Sequence, residues 1–259
     1  MYVDIVDLRD FYATGLGQTA RRLLVHKLRK LWPDLSGLTV VGLGYAAPVL
    51  GVFREESERT LAFMPAEQGV VNWPGDGPSS AALVDDEELP LGDGTVDRLV
   101  LVHCLEMSDS PRDLLREAWR VLAPGGRLAV VVPNRRGLWA RFEHTPFGHG
   151  RPYSRSQIVR LLRETLFTPD DWGEALWVPP FKGRFMIRSA AAWERAGTVI
   201  RAMPPGVLLV EASKQLYAAI PAKERSRARV RFVPSLAGEP VPTPHVGAVS
   251  RRLSRPDGL

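Results

Sequence analysis

Residues 81–97 read Ala81-Ala82-Leu83-Val84-Asp85-Asp86-Glu87-Glu88-Leu89-Pro90-Leu91-Gly92-Asp93-Gly94-Thr95-Val96-Asp97. The apolar run from Ser80 to Val84 predicts a strand. Four acids follow, and Gly92-Asp93-Gly94 predicts a turn. Asp97–His103 is apolar again and predicts a second strand. Pro111–Leu122 carries apolar residues at helical spacing, and Pro124-Gly125-Gly126 is a stop signal. Arg127–Pro133 predicts one more strand. Strands alternating with helices mean a parallel sheet with right-handed crossovers. Val100–Val102 and Leu128–Val132 are apolar throughout, which suits strands covered on both faces.

Working outward, residues 7–13 and 16–31 predict helices. In the second, Leu16, Ala20, Leu23, Leu24, Leu28 and Leu31 form one apolar face. Leu38–Leu43 predicts a strand ending in glycines, with a helix from Ala46 to about Phe53. Arg59–Met64 predicts a strand, and residues 69–80 a loop. Downstream, Asn134–Pro152 reads as a loop and Ser154–Leu166 as a helix with Ser154 at its N-cap. Trp177–Phe181 is the expected sixth strand, Ala190–Arg201 a helix, and Val207–Ala212 the last strand. The expected class is α/β, a doubly wound and mostly parallel seven-stranded sheet with N-terminal helices. Residues 1–220 form the expected domain. Residues 221–259 hold six prolines and no period, and predict an irregular tail.

The bulk numbers fit this plan. At 259 residues, 45% hydrophobic and 24% charged, the chain can bury a sizeable core. Its net charge of +5 lies wholly in the tail, because residues 1–220 balance. The basic pI therefore says little about the domain, and nucleic-acid binding is expected only through that tail. Cys104 is the one cysteine, so no intrachain disulfide forms. Acids among the first ten residues interrupt any signal-peptide stretch, and every apolar run is strand-sized. A soluble cytoplasmic protein is the expectation, with oligomeric state open.

Ligands of open parallel sheets bind beyond the carboxyl ends of the strands, where strand order reverses. The turn Gly42-Leu43-Gly44-Tyr45-Ala46-Ala47 stands at that place. A nicotinamide dinucleotide would want an acid at the end of the second strand, where Met64 stands. The stretch 85–128 points elsewhere. Its acid after strand three, its Leu89-Pro90 pair and its Asp93-Gly94-Thr95-Val96-Asp97 turn resemble class I S-adenosylmethionine (SAM) dependent methyltransferases. So do Val102–Met107 and Leu114–Leu128. The resemblance runs over residues 36–215 and implies a Rossmann-like methyltransferase fold, SAM as cofactor, and methyl transfer to a small-molecule acceptor.

The resemblance also implies roles. Gly42 and Gly44 would line the methionine portion of SAM, with Tyr45 beside them. Asp85 would sit near the adenine amino group, Asp86 would offer backbone contacts, and Met64 would take the ribose-side position. His103 would lie at the rim below the transferable methyl. The chain departs from the family at Val40 and Met64, where acids are usual, and at Ala46, where a third glycine is usual. The loop after strand five gathers Arg135, Arg136, Arg141, His144, His149 and Arg151. It predicts His144 or His149 as general base and an arginine orienting an anionic acceptor. A metal site is not expected, since two histidines five apart on a Gly/Pro loop lack a ligand set. The competing expectation is a non-catalytic protein that keeps the fold and acts as a binding partner.

Overall fold

The computed structural model describes residues 2–181, 183–200 and 203–216. The elements run α1 (Ile5–Ala13), α2 (Gly15–Leu31), β1 (Thr39–Gly44), α3 (Ala47–Leu50), β2 (Arg59–Pro65), β3 (Ala81–Val84) and β4 (Val96–Val102). Then come α4 (Pro111–Val121), β5 (Leu122–Pro133), α5 (Arg155–Glu164), β6 (Phe167–Ala175), α6 (Arg184–Ile200) and β7 (Val207–Lys214). One seven-stranded sheet has the order β3-β2-β1-β4-β5-β7-β6. The first five strands are parallel, while β7 runs antiparallel to both β5 and β6. The doubly wound, mostly parallel plan expected from the sequence is therefore the one observed.

Alternation along each strand divides the core into two layers. Val40, Val100, Val102, Val131 and Leu209 face one side, against α1, α2 and α3. Val41, Leu43, Leu101, Val130 and Val210 face the other, against α4 and α5. Both sets are buried, so the continuous apolar strands are explained by cover on each face. Local signals hold the helices. Asp4 accepts from the Val6 amide at the start of α1, at 2.7 Å. Thr14 ends α1 and caps α2 through the Gly17 amide. Ser154 and Gln157 make a reciprocal capping box on α5.

Three expectations need correction. The sixth strand is Phe167–Ala175, not Trp177–Phe181. Trp177 instead lies buried beside Gly197 of α6, with its amide donating to Glu194 at 2.7 Å. β5 begins at Leu122, because Val96 pairs with Leu122 and the Gly125-Gly126 turn continues inside the strand. The helix after β1 is a single turn, Ala47–Leu50, followed by turns to Ser57. The tail from 221 onward lies outside the described residues. Among the described residues no helix is long and apolar enough to cross a membrane.

Candidate functional site

Strand order reverses between β1 and β4. Their carboxyl ends meet directly: the Tyr45 amide donates to the Val102 carbonyl at 2.8 Å. Gly44 makes this approach possible. Its φ is +84°, and a Cβ there would lie 2.3 Å from the Val102 oxygen. Gly42 is required in the same way, since a Cβ would lie 2.5 Å from that of Ala46. Both glycines thus serve the close packing of β1, α3 and β4.

Helix α1 lies over this junction. Tyr12 donates or accepts through its hydroxyl with His103 Nε2 at 2.9 Å, and its ring rests 5.7 Å from that of Tyr45. Phe147 sits 4.6 Å from the His103 ring, and Phe11 and Trp139 pack edge-on against Phe147. The Ile5 amide donates to Gln68 at 2.8 Å, and Gln68 donates through Nε2 to the His103 carbonyl at 3.0 Å. Tyr2 donates to the Asp86 carboxylate and contacts Cys104 Sγ at 3.9 Å. Burial pushes the Tyr2 and Tyr12 hydroxyls and the Cys104 thiol well above their ordinary values and raises the Tyr45 hydroxyl. They stay neutral at physiological pH.

The sequence-predicted residues separate into groups. Gly42, Gly44, Tyr45, Met64 and His103 are sealed within the packing: Tyr45 is 5% exposed and Met64 and His103 are fully buried. Met64 Sδ accepts from the Val71 amide at 3.4 Å. None of these five lines any of three clefts on the described surface. Asp85 and Asp86 do, together with Ala66, Glu67, Val84 and Ser108, around a hollow of about 210 Å³ beyond β2 and β3. Asp85 accepts from the Glu87 amide at 2.9 Å, and burial raises the Asp86 carboxyl against the opposing pull of Tyr2.

His144 and His149 line a different and larger cleft, of about 780 Å³, between α1 and the loop after β5. His144 Nε2 faces the Pro180 carbonyl at 2.9 Å, and His149 Nε2 faces the Glu143 carbonyl at 2.7 Å. Each ring therefore holds its proton on Nε2 and leaves Nδ1 as the basic atom. Of the arginines expected over the pocket, Arg151 lines the cleft and Arg135, Arg136 and Arg141 do not. Tyr2 and Asp109 belong to both the hollow and the cleft and form the wall between them.

Several residues of this region carried no role in the sequence reading. Tyr2, Tyr12, Gln68 and Phe147 seal the junction, and Glu106 is buried beside His103, its carboxylate 3.5 Å from Nδ1. His103 itself has φ +50°, which is uncommon for a residue with a Cβ. The amphipathic face of α1, Ile5, Leu8, Phe11 and Tyr12, was the one available signal.

SAM fits this surface in part. Asp85 and Asp86 line an open hollow, while Tyr12 packs on Tyr45 over the turn after β1.

The comparisons with known proteins bear on the fold and the family. Residues 29–130 match the family model described as a methyltransferase domain. No curated protein sequence matches the chain. Among solved structures, the chain is similar to a SAM-dependent methyltransferase from Mesorhizobium loti, at 16% identity and a TM-score of 0.53. That match covers 72% of this chain and 95% of the other. It is also similar to geranyl diphosphate C-methyltransferase from Streptomyces coelicolor, at 18% identity and a TM-score of 0.52, covering 74% and 78%. That protein was solved with magnesium, geranyl diphosphate and S-adenosylhomocysteine. A third similar structure is a 4+2 cyclase, SpnF, at 21% identity and a TM-score of 0.52, covering 78% and 83%. Strand order and these structural likenesses show that the chain has the Rossmann-like fold of SAM-dependent methyltransferases, and residues 29–130 match the methyltransferase domain.

Proposed function

We propose that the chain transfers a methyl group to a small-molecule acceptor held in the cleft between α1 and the loop after β5. One observation carries this reading: the hollow at Asp85–Asp86 and the larger cleft share Tyr2 and Asp109 as a common wall. A donor and an acceptor compartment are thereby adjacent. The cleft volume of about 780 Å³ suits a small molecule rather than a macromolecule.

When bound, SAM supplies an electrophilic methyl group. The work of the protein is then alignment and exclusion of water, since no charge-stabilising hole is needed for a thioether leaving group. Asp85 and Asp86 hold the purine side. His144 and His149 stand as base candidates, each presenting Nδ1 from a ring fixed by a backbone carbonyl. Phe11, Val3 and Met107 give the cleft its apolar wall. Entry of the cofactor requires Tyr12 to leave Tyr45 and His103.

Calorimetric titration of the full chain with SAM, in parallel with Tyr12→Ala, tests the reading. Micromolar binding in the parent, or binding gained in Tyr12→Ala, supports it. Failure of both proteins to bind at millimolar SAM removes it. The second reading, a binding partner without catalysis, then takes its place; the seal of α1 over the first turn and the departures at Val40 and Met64 favour it.

A further inference from the structure

The large cleft carries a charge pattern opposite to the one expected of it. Six carboxylates line it, against the single arginine Arg151. Asp4, Asp7 and Asp10 come from α1 and the residue capping it. Glu106 and Asp109 come from the turn after β4, and Glu143 from the loop opposite. An anionic acceptor is therefore disfavoured by every wall.

Glu106 is the decisive residue. It lines the cleft, yet it is 1% exposed, and neither carboxylate oxygen has a hydrogen-bond partner among the described residues. The His103 Nδ1 at 3.5 Å is too distant for a good hydrogen bond and is itself without a partner. A buried carboxylate left in that state is costly. Native proteins keep such groups where a ligand completes them. A donor that carries positive charge satisfies both the orphaned oxygens and the field of the surrounding acids.

The occupant also has an apolar part. Phe11, Leu16, Val3 and Pro146 line the same cleft and give it an apolar wall. A divalent metal ion is the poorer match, because among the described residues no three His, Cys, Asp or Glu side chains converge as a ligand set. The carboxylates are spread around the walls instead, as an extended organic cation requires.

We infer that this cleft binds a small organic ammonium ion, a primary or secondary amine with a hydrocarbon body, and that Glu106 is its buried counter-ion. The inference names the acceptor class of the function proposed above and rests on that reading for its catalytic meaning: the bound ammonium gives a proton to His144 or His149, its freed lone pair forms the N–C bond, and the C–S bond breaks to leave a neutral thioether. The binding itself does not depend on SAM.

The test uses the full chain without SAM and three probes of one shape: phenethylamine, phenethyl alcohol and phenylacetate. Phenethylamine binds, and binds more weakly as salt rises. The alcohol and the acid bind at least about tenfold more weakly, the loss expected of a charge-assisted contact. Glu106→Gln costs phenethylamine about tenfold while Glu143→Gln, at the exposed rim, costs less than about threefold. Thermal melts of each variant establish that it is folded. Should Glu106→Gln not fold, the Met107 methyl resonance of the parent chain decides: it shifts with the amine and not with the alcohol. Equal binding of amine and alcohol, unchanged affinity in folded Glu106→Gln, or no Met107 shift overturns the inference. Amine binding without SAM binding leaves this site standing and removes the methyl-transfer reading. The reverse result does the opposite.

Discussion

The region from β3 to β5 and the region around β1 and β2 answer to the same family pattern in different ways. In the first, Glu117 and Asp97 are spent on structure. Glu117 of α4 accepts from the Leu89 amide at 2.7 Å and from Arg120, and Arg120 reaches Leu89, Leu91 and Asp93. The Asp97 carboxylate receives the Thr39 amide that opens β1. In the second, apolar residues stand at Val40 and Met64, and Tyr12 from the N-terminal helix packs on Tyr45 after β1. Tyr2, Ile5 and Tyr12 contact Asp86, Gln68 and His103. The first region is thus held by framework hydrogen bonds of its own acids, and the second by cover from the N-terminal helix.

This contrast can be broken most forcefully at Tyr12. Tyr12→Ala removes a buried ring, and unfolding free energy should fall by about 3–5 kcal/mol in denaturant titration. If the junction beneath is a cofactor site, the same variant binds SAM more tightly. A stability loss without that gain would mark α1 as plain core. Gly44→Ala comes next, at about 2–4 kcal/mol, because the new Cβ meets the Val102 carbonyl at positive φ. An unchanged melting temperature would show that β1 and β4 are less closely joined than described.

Glu117→Ala should cost about 1–3 kcal/mol by severing the loop at Leu89 from α4. Its hydrogen bonds with Arg120, aided by the Leu89 amide, hold the Glu117 carboxyl below its usual 4.5. The stabilisation is therefore present above pH 4.5 and disappears as pH falls through the depressed folded-state value. Glu117→Gln should flatten that part of the acid-stability curve. Asp86 has the opposite sign. Burial raises its carboxyl above 3.8, so its charge destabilises the fold once pH rises through the raised value. Asp86→Asn should stabilise the chain at neutral pH by a few tenths of a kcal/mol and make no difference well below pH 3.8. A loss at neutral pH would mean that Tyr2 depends on the anion.

Sequence reading reached the order and type of the parallel strands because each is short, apolar and bounded by Gly or Pro. It lost β6 for a physical reason. Among the described residues that strand sits at the sheet edge and pairs with β7, and it carries Asp170, Asp171 and Gly173, so no apolar run marks it. The aromatics at 177 and 181 drew the assignment away. Of the residues expected at the site, Asp85 and Asp86 line a hollow and His144 and His149 line the cleft, while Gly42, Gly44, Tyr45, Met64 and His103 line neither. What α1 covers was not legible, because helical spacing shows that a face is buried and not what it is buried against. Glu106 was quoted within the family-like run and given no part, since burial without a partner is a property of the folded chain.

The place of β7 has a consequence for synthesis. This strand is inserted between β5 and β6, and Glu211 on it accepts the indole N–H of Trp32 at 2.8 Å. Emerging from the ribosome, β6 has no neighbour to pair with, and Trp32 no acceptor, until residues 207–214 appear. The nascent chain must therefore carry an unsealed sheet margin until residues 207–214 emerge, and a fragment cut after β6 would present that margin to other chains.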